Sequence, residues 1–246
     1  MRLTRVHVEG PITGDTRQTL RGTAANHISR VLRLRVGDKL TLFDGNGGEY
    51  EARIDEFGKD AVQVTVGEQR SVERESPVSI TLAQGISRGE RMDLVVQKAT
   101  ELGVARIVPL ITERCVVKLD AKQAESKLRH WRAITIAASE QCGRNRLPTM
   151  EAVTKFHDYL GDARLNASTS HRLLLSPAGN ARIRDLNGEV PEVSLLIGPE
   201  GGLSEVEQDY AIRAGFTAVR LGPRILRTET AALAALTAIQ QQLGDL

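Results

Sequence analysis

The chain has 246 residues, of which 41% are hydrophobic and 26% charged, and these values predict a globular protein of one or two domains. Because no apolar run approaches the ~18 residues of a membrane helix, and the N-terminal stretch lacks the apolar core of a signal peptide, we expect a cytoplasmic protein that does not enter a membrane. The net charge of +2 says little about partners, while the spacing of cysteines and histidines predicts neither a disulfide framework nor a bound metal.

Basic side chains are concentrated near the start of the chain. Residues 1–40 carry more lysine and arginine than aspartate and glutamate, and Arg30, Arg33 and Arg35 follow one another closely in SRVLRLRVGDK. A solvated surface explains such a cluster, and so does a surface that binds nucleic acid. The cluster alone leaves both interpretations open.

Residues 39–66 have the alternating pattern of short strands. The segment KLTLFDGNGGEYEARI predicts two strands around a turn at 46–48, and DAVQVTV predicts a third strand. With a helix over residues 24–32, these strands predict a small antiparallel sheet that is barrel-like. The polar run 67–77 predicts a linker, and we divide the chain into domains 1–72 and 73–246.

The pattern after Pro77 alternates strands with longer helices, which predicts an α/β domain with a mostly parallel sheet covered on both faces. Ligands of such sheets bind at the carboxyl ends of the strands. The predicted strands span 78–83, 104–111, 173–175, 193–197 and 218–221, and the predicted helices span 91–102, 121–142, 205–214 and 229–243.

Two loops follow predicted strands in this second half. The first, GPEGGLS, leads into a helix whose start is marked by a capping box of Ser204 and Glu207. The second lies in LGPRILRTETAALAAL, where Thr228 is the expected N-cap and Glu229 a first-turn carboxylate that the helix dipole favours.

The composition of the two loops disfavours a phosphate ligand. Neither a GxGxxG fingerprint nor a Gly-Lys-Ser/Thr phosphate loop occurs, and Glu200 would repel a polyphosphate. The loops offer backbone groups, apolar side chains and few cations, which suits a ligand with an adenine, a ribose and no phosphate, such as S-adenosylmethionine. Two tight turns without any ligand explain the loops equally well at this point.

Four segments, in order, resemble one family. LLIGPEGGLSEVE and LGPRILRTETAALAAL are similar to the two signature loops of the SPOUT methyltransferases, most closely those of the RsmE family of 16S ribosomal RNA (uracil-N3) methyltransferases. QKATELGVARIVPLITERCVVK and EQCGRNRLP also resemble that family. The chain departs from it slightly, with Leu203 where phenylalanine is frequent and Cys142 where a small polar residue is common.

The resemblance implies a fold and a reaction. It implies a SPOUT-type α/β domain with a C-terminal trefoil knot, preceded by a PUA-like β-barrel that binds RNA, in a homodimer. The implied activity is S-adenosylmethionine-dependent methylation of the N3 of a specific uridine in 16S ribosomal RNA, within the assembled small ribosomal subunit. A SPOUT enzyme acting on a ribose or on transfer RNA, and a catalytically silent RNA-binding protein of the same fold, are the alternatives.

Side-chain chemistry and the resemblance together assign roles to residues. Arg227 is expected to stabilise the uracil or hold its phosphate, and Glu229 to accept the N3 proton, to hold Arg227, or only to complement the helix dipole. Arg144 and Arg146 are expected to contact RNA or the active site, alongside the RNA-binding residues Arg30, Arg33 and Arg35. The expected cofactor-binding residues are Leu175, Ile197, Gly198, Pro199, Glu200, Gly201, Gly202, Leu221, Gly222, Ile225, Leu226, Arg227, Thr230 and Ala231.

Overall fold

A computed structural model describes residues 4–162, 170–186 and 192–246. The chain forms two compact units. The first comprises the residues up to Glu75 together with Ser139–Leu147, and the second comprises Ser76–Ala138 and Pro148–Leu246. The sequence gives no signal that residues 139–147, which lie deep in the second half of the chain, fold with the N-terminal unit.

A five-stranded sheet in the order β1-β3-β4-β5-β2 forms the first unit. The predicted turn at 46–48 is confirmed, but the sheet is not wholly antiparallel, because β1 pairs with β3 in parallel. The predicted helix is split into a short α-helix and a π-helical turn, His27–Val31. The elements are β1 (Thr4–His7), β2 (Thr16–Arg21), α1 (Gly22–Asn26), β3 (Lys39–Phe43), β4 (Glu49–Phe57) and β5 (Ala61–Arg70).

Strand β5 shows how the sequence pattern builds this sheet. Val62, Val64 and Val66 point inward and are buried, while the residues between them are more exposed. The strand continues to Arg70, so residues 67–70, which were predicted to start a linker, belong to the sheet. The polar composition of 67–70 misled the prediction because these residues lie in an exposed end of the strand.

Residues 139–147 are tied to the first unit by buried charges. Arg5 on β1 donates to the Glu49 carboxylate at 2.5 Å and, through its other terminal nitrogen, to the Asn145 side chain at 2.5 Å and the Arg144 carbonyl at 3.0 Å. Asn145 in turn donates to the Val72 carbonyl at 2.6 Å. These groups are buried, and the bonds among them offset the free-energy cost of removing them from water.

A sheet of seven strands lies in the described part of the second unit, with the order β12-β10-β11-β6-β7-β8 and β9 paired to β7, and every pairing is parallel. Its strands are β6 (Ser79–Gly85), β7 (Arg106–Ile111), β8 (Thr149–Met150), β9 (Thr154–Lys155), β10 (Ser170–Leu175), β11 (Glu192–Ile197) and β12 (Thr217–Val219). The helices of this half of the chain are α2 (Glu90–Glu101), α3 (Ala121–Cys142), α4 (Phe156–Leu160), α5 (Glu205–Arg213) and α6 (Thr228–Leu243), and the end of α3 from Ser139 onward belongs to the first unit.

Both faces of this sheet are covered, as predicted. Alternate strand residues enter two separate cores: Leu82 and Leu195 join one with α2 and α6, whereas Ala83 and Leu196 join the other with α4 and α5. Trp131, the single tryptophan, is buried in the first core, where its indole nitrogen donates to Asp93 at 3.1 Å.

The predicted helix ends are confirmed in three cases and wrong in one. Gly103 and Gly143 end α2 and α3 with φ of 80° and 94°, and Ser204 and Glu207 form the reciprocal capping box. Thr228, however, is not the N-cap of α6. It is the first helical residue, Arg227 occupies the cap position without a side-chain bond, and the Thr228 hydroxyl is used elsewhere.

Across residues 4–162, 170–186 and 192–246, no helix is long and apolar enough to cross a membrane. In the same ranges, no three His, Cys, Asp or Glu side chains converge as metal ligands would.

The buried pair of Arg5 and Glu49 predicts an acid-sensitive first unit. Burial raises the pKa of Glu49, but the bonds from Arg5 and Arg74 outweigh it and hold that pKa below the ordinary value of 4.5. A carboxylate with a lowered folded-state pKa contributes stability above its unfolded pKa and loses it as the pH falls through the folded value. Glu49→Gln should therefore lower the free energy of unfolding at pH 7 by about 3 kcal/mol and flatten its fall below pH 4.5.

Urea unfolding of the two proteins between pH 7 and pH 3, followed by circular dichroism, measures this difference. Glu51→Gln is the matched control, because Glu51 lies on the same strand but pairs with Lys39 at the surface. Equal sensitivity of the two variants would show that the buried network does not stabilise the unit.

Candidate functional site

The two loops singled out in the sequence lie at the carboxyl ends of β11 and β12 and enclose one cavity of about 600 Å³. The end of β10 and the first turn of α6 complete its wall. Its lining consists of Arg91, Arg114, Leu175, Ser176, Pro177, Ile197, Gly198, Pro199, Glu200, Gly201, Gly202, Leu203, Gln208, Leu221, Gly222, Arg224, Ile225, Leu226, Arg227, Thr228, Glu229 and Ala231.

The glycine loop needs glycine because backbone segments approach it closely. A Cβ on Gly198 would lie 2.7 Å from the backbone of Gly202 and Leu203, and a Cβ on Gly85 would lie 2.5 Å from the Pro199 ring. Gly202 has a φ of 68°, which L-residues rarely adopt. The loop therefore folds back on itself against the end of β6.

A buried amide joins the glycine loop to α6. Gln84, at the end of β6, donates through Nε2 to the Gly198 carbonyl at 3.3 Å and to Thr228 Oγ1 at 3.0 Å. The Thr228 hydroxyl donates to the same Gly198 carbonyl at 2.8 Å. This triangle, which we call the Gln84 junction, fixes the start of α6 against the end of β11.

The second loop presents its backbone to the cavity. Within the described residues, no protein group bonds the backbone carbonyls of residues 222–226 or the backbone N–H groups of Gly222, Arg224, Ile225 and Leu226. Residues 222–225 are exposed and Leu226 is partly buried, so water can pair with these groups in the free protein. A bound ligand with matching donors and acceptors can replace that water.

Charged side chains meet at the mouth of the glycine loop. Glu200 accepts from the Arg88 backbone N–H and from Arg91 Nη1, each at 2.9 Å. Arg91 Nε also lies 3.9 Å from Glu229 Oε1. Burial raises the pKa of Glu200, but the bonds from Arg88, from its own backbone and from Arg91 together lower it below the ordinary value of 4.5.

The predicted cofactor residues converge on this cavity with one exception. All of them line it apart from Thr230, which is exposed on the outer side of the first turn of α6. The expectation of few cations is wrong, because Arg91, Arg114, Arg224 and Arg227 all line the cavity. Arg224 and Arg227 were visible in the second loop, whereas Arg91 on α2 and Arg114 on the β7–α3 connection come from segments outside the two loops.

The two candidate catalytic residues both line the cavity but are not paired with each other. Arg227 is exposed, and Glu229 forms its ion pair with Arg91 rather than with Arg227. The suggestion that Glu229 holds Arg227 is therefore wrong. Arg91 is close in space to Glu229 because the first turns of α2 and α6 both lie beside the glycine loop.

The predicted RNA-binding arginines separate into two groups. Arg30, Arg33 and Arg35 are exposed on the segment after α1, where Arg33 has a φ of 52° and Val31 is 67% exposed. A non-glycine residue in this conformation is strained, and such strain is common at functional sites.

Arg144 contradicts its assignment as a contact to RNA or to the active site. It is buried, and its guanidinium binds the Glu75 carboxylate in a bidentate pair. The neighbouring Arg146 is exposed and pairs with Glu73 at 2.8 Å. The basic segment after α3 was ambiguous in the sequence because the acidic partners lie about seventy positions earlier.

Sequence reasoning missed Gln84, Arg91 and Arg114 as residues that shape or line the site. Arg114 Nη1 donates to the Gly201 carbonyl at 3.1 Å. Gln84 carried a usable signal, since it is a polar residue at the end of the apolar strand SITLAQG, where buried side chains need partners.

Comparisons with known proteins agree with this geometry. Residues 74–240 match the RNA methyltransferase domain family, and residues 20–67 match the RNA methyltransferase PUA domain family. The chain is 34% identical to the ribosomal RNA small subunit methyltransferase E of Buchnera aphidicola from Schizaphis graminum, over 100% of this chain and 98% of the relative. It is 32% identical to the protein of that name from Bacillus subtilis, over 91% and 90%.

Solved structures of related methyltransferases are also similar to this chain. The chain is similar to a Neisseria gonorrhoeae ribosomal RNA small subunit methyltransferase E bound to S-adenosyl methionine, with 36% identity, a TM-score of 0.92 and complete coverage of both chains. It is also similar to a Legionella pneumophila protein in complex with the bound cofactor SAM, with 42% identity, a TM-score of 0.95 and complete coverage. The chain therefore belongs to the RNA methyltransferase family, and within it to the ribosomal RNA small subunit methyltransferase E group.

Proposed function

We propose that this protein transfers the methyl group of S-adenosylmethionine to the N3 of a uridine in 16S ribosomal RNA, within the small ribosomal subunit. The observation that carries the proposal is that the two loops resembling the family's signature loops enclose a shared cavity. Its similarity to chains solved with that cofactor supports the choice of ligand.

The cavity suits this cofactor chemically. The unpaired backbone groups of residues 222–226 can bind the edge of an adenine or a ribose, and Leu175, Ile197 and Leu226 offer apolar surface to the rings. Glu200, which lines the cavity, can balance the positive charge of the sulfonium. When bound, the cofactor supplies an electrophilic methyl carbon.

The residues of the chain must prepare the uracil for attack. N3 carries a proton between two carbonyl groups and becomes a good nucleophile only as that proton leaves. Arg227 is exposed at the rim of the cavity, where its guanidinium can stabilise the negative charge that develops on the uracil oxygens. Held in line by the cavity walls, the two reactants need little further reorganisation.

The N-terminal unit is proposed to bind the RNA. Arg30, Arg33 and Arg35 are exposed on one short segment, and none of their side chains has an ion-pair partner among the described residues. Unpaired, exposed guanidinium groups are suited to phosphate contacts. The match of residues 20–67 to an RNA methyltransferase PUA domain supports this role.

A trefoil knot and a homodimer are also proposed. After β12 the chain crosses from the sheet edge to the Gln84 junction, while the 3-10 turn Ile183–Asp185 packs on α6 and Gln242 donates to the Leu186 carbonyl. This path favours threading of α6 beneath the segment that follows β10. The small side chains of Ala232 and Ala235 are wholly buried and permit the close packing that threading requires.

The decisive test is methylation of a defined substrate. Small ribosomal subunits from cells that lack this activity are incubated with the protein and S-adenosylmethionine, and the 16S RNA is then mapped by mass spectrometry. We expect one methylated uridine whose modification blocks reverse transcription, as N3 methylation does because it removes a pairing position. A methyl group on a ribose, modification of transfer RNA instead, or no transfer at all would each favour one of the alternatives.

Cofactor binding should depend on the backbone shape of the glycine loop. A Cβ on Gly201 would lie 3.1 Å from the Arg114 Cβ, so the branched side chain of Gly201→Val should displace Arg114 and distort the cavity wall. We expect S-adenosylmethionine affinity, measured by calorimetry, to fall by at least tenfold, or about 1.4 kcal/mol, with little change in the far-ultraviolet circular dichroism.

Gly58→Val is the matched control for this substitution. Gly58 lies in the turn between β4 and β5, and its added Cβ would make only ordinary contacts with Ala61. Wild-type affinity in Gly201→Val, or an equal loss in both variants, would remove the glycine loop from the cofactor site.

RNA binding should depend on salt through the arginine cluster. Replacing Arg30, Arg33 and Arg35 together with alanine should weaken RNA binding and reduce the slope of log affinity against log salt by roughly one for each lost phosphate contact. Cofactor affinity should be unchanged. Arg129→Ala, which removes an exposed arginine of α3 paired with Glu125, is the control, and an unchanged slope in the triple variant would show that the cluster is only solvated.

A further inference from the structure

Glu200 and Glu229 are the only side chains lining the described cavity that could accept a proton near neutral pH. Its other charged side chains are arginines, and no histidine, lysine, aspartate, cysteine or tyrosine is among the lining residues that the structure describes. Arginine is not deprotonated in proteins. The choice of a proton acceptor within this cavity is therefore between two carboxylates.

Bonds within the protein already occupy Glu200. Its Oε1 accepts from both the Arg88 backbone N–H and Arg91 Nη1 at 2.9 Å. A carboxylate stabilised by charged donors is a weaker base. These contacts make Glu200 a brace between the glycine loop and the start of α2.

Glu229 is arranged differently. Its Oε1 lies 3.9 Å from Arg91 Nε, whereas its Oε2 is buried and has no hydrogen-bond partner among the described residues. Leaving a buried charged oxygen unsatisfied is costly, and such atoms in folded proteins call for an explanation. Because Glu229 lines the cavity, a donor group on a bound ligand is the explanation that fits.

Arg91 has the geometry of a positioning residue for this carboxylate. It lies in the first turn of α2, and one guanidinium contacts Glu200 of the glycine loop and Glu229 of α6. Helix α2 is itself anchored to α3, because Asp93 accepts from Trp131 at 3.1 Å and contacts His130 at 2.8 Å. Arg91 is thus held between two carboxylates that would otherwise repel each other.

We propose that Glu229 Oε2 accepts the N3 proton of the target uracil and that Arg91 is the residue that positions Glu229 for this step. The inference rests on the proposed function. As the N3–H bond breaks, its proton passes to Glu229 Oε2 and its electron pair stays on N3. That pair forms the bond to the methyl carbon while the carbon–sulfur bond breaks, and the sulfur leaves as a neutral thioether. Glu229 later releases the proton to solvent.

The test compares Glu229→Gln with wild type in single-turnover methylation of small-subunit RNA across a range of pH. Glutamine keeps the shape of the side chain but cannot take the proton, so we expect a rate loss of about a hundredfold or more. The loss should shrink as the pH rises, because hydroxide can then remove the N3 proton. The other charged groups lining the cavity beside Glu229 are Arg91, Glu200, Arg114, Arg224 and Arg227, and all are retained in this variant.

The positioning role of Arg91 is tested by replacing it both in the wild type and in the Glu229→Gln variant. Arg91→Met should slow turnover by up to about a hundredfold through misplacement of the carboxylate, and Arg91→Lys should recover part of that loss because it keeps the charge. In the Glu229→Gln background, Arg91→Met should cause little further loss, since residues that act as a unit are strongly non-additive. Equal effects of Arg91→Met in both backgrounds would overturn the positioning role.

Calorimetry with S-adenosylmethionine supplies a readout that does not depend on turnover. We expect Glu229→Gln to bind the cofactor within a few fold of wild type. A rate equal to wild type, a rate loss that does not vary with pH, or a fall in cofactor affinity as large as the fall in rate would overturn the assignment of Glu229. Arg129→Gln, which alters only an exposed pair on α3, should match wild type throughout.

The two proposals fail in different ways. If the wild-type protein methylates no uridine N3 in small subunits, the proposed function itself is wrong. If the wild type is active and Glu229→Gln is equally active, only the present inference is wrong.

Discussion

The close approach of three chain segments at the carboxyl ends of β6 and β11 is the constraint on which the site depends. There is no room for a Cβ on Gly85, because Pro199 occupies that space, or on Gly198, because the Gly202–Leu203 backbone does. The Gln84 junction then locks Thr228 onto the Gly198 carbonyl. As a result, the glycine loop is fixed to the start of α6, and the wall of the cavity that these two segments form is preformed. Preformed sites avoid the entropic cost of ordering loops when a ligand binds.

The arginines that line the cavity differ in what their side chains contact. Arg91 joins the carboxylates of the two loops, Arg114 holds the Gly201 carbonyl, and Arg227 remains exposed at the rim. Arg91 and Arg114 are also exposed, but their bonds fix the shape of the cavity, whereas the side chain of Arg227 is available to a substrate. In the first unit the arginines divide by burial: Arg5 and Arg144 are buried in bonds to Glu49 and Glu75, whereas Arg30, Arg33 and Arg35 are exposed.

Local sequence patterns predicted the helix ends and the alternation of the strands well, but they predicted contacts between distant residues poorly. The capping box at Ser204, the glycine helix ends and the alternation of β5 all depend on neighbours within a few residues, so the sequence contains them. The parallel pairing of β1, the capture of residues 139–147 by the first unit and the burial of Arg144 depend on partners that are distant in the chain. Thr228 illustrates why local patterns fail. A threonine at this position is typical of an N-cap, but its hydroxyl instead donates to the Gly198 carbonyl, thirty residues earlier in the chain.

The central claim is that one cofactor is held by both loops at once, and hydrogen–deuterium exchange with and without S-adenosylmethionine tests it most directly. The backbone N–H groups of Gly222, Arg224, Ile225 and Leu226 have no protein partner among the described residues, so they should exchange fast in the free protein. On saturation with the cofactor, we predict slower exchange in residues 198–203 and 221–227 together, with the arginine cluster of the first unit unaffected. Protection of only one loop, or of neither, would contradict the account.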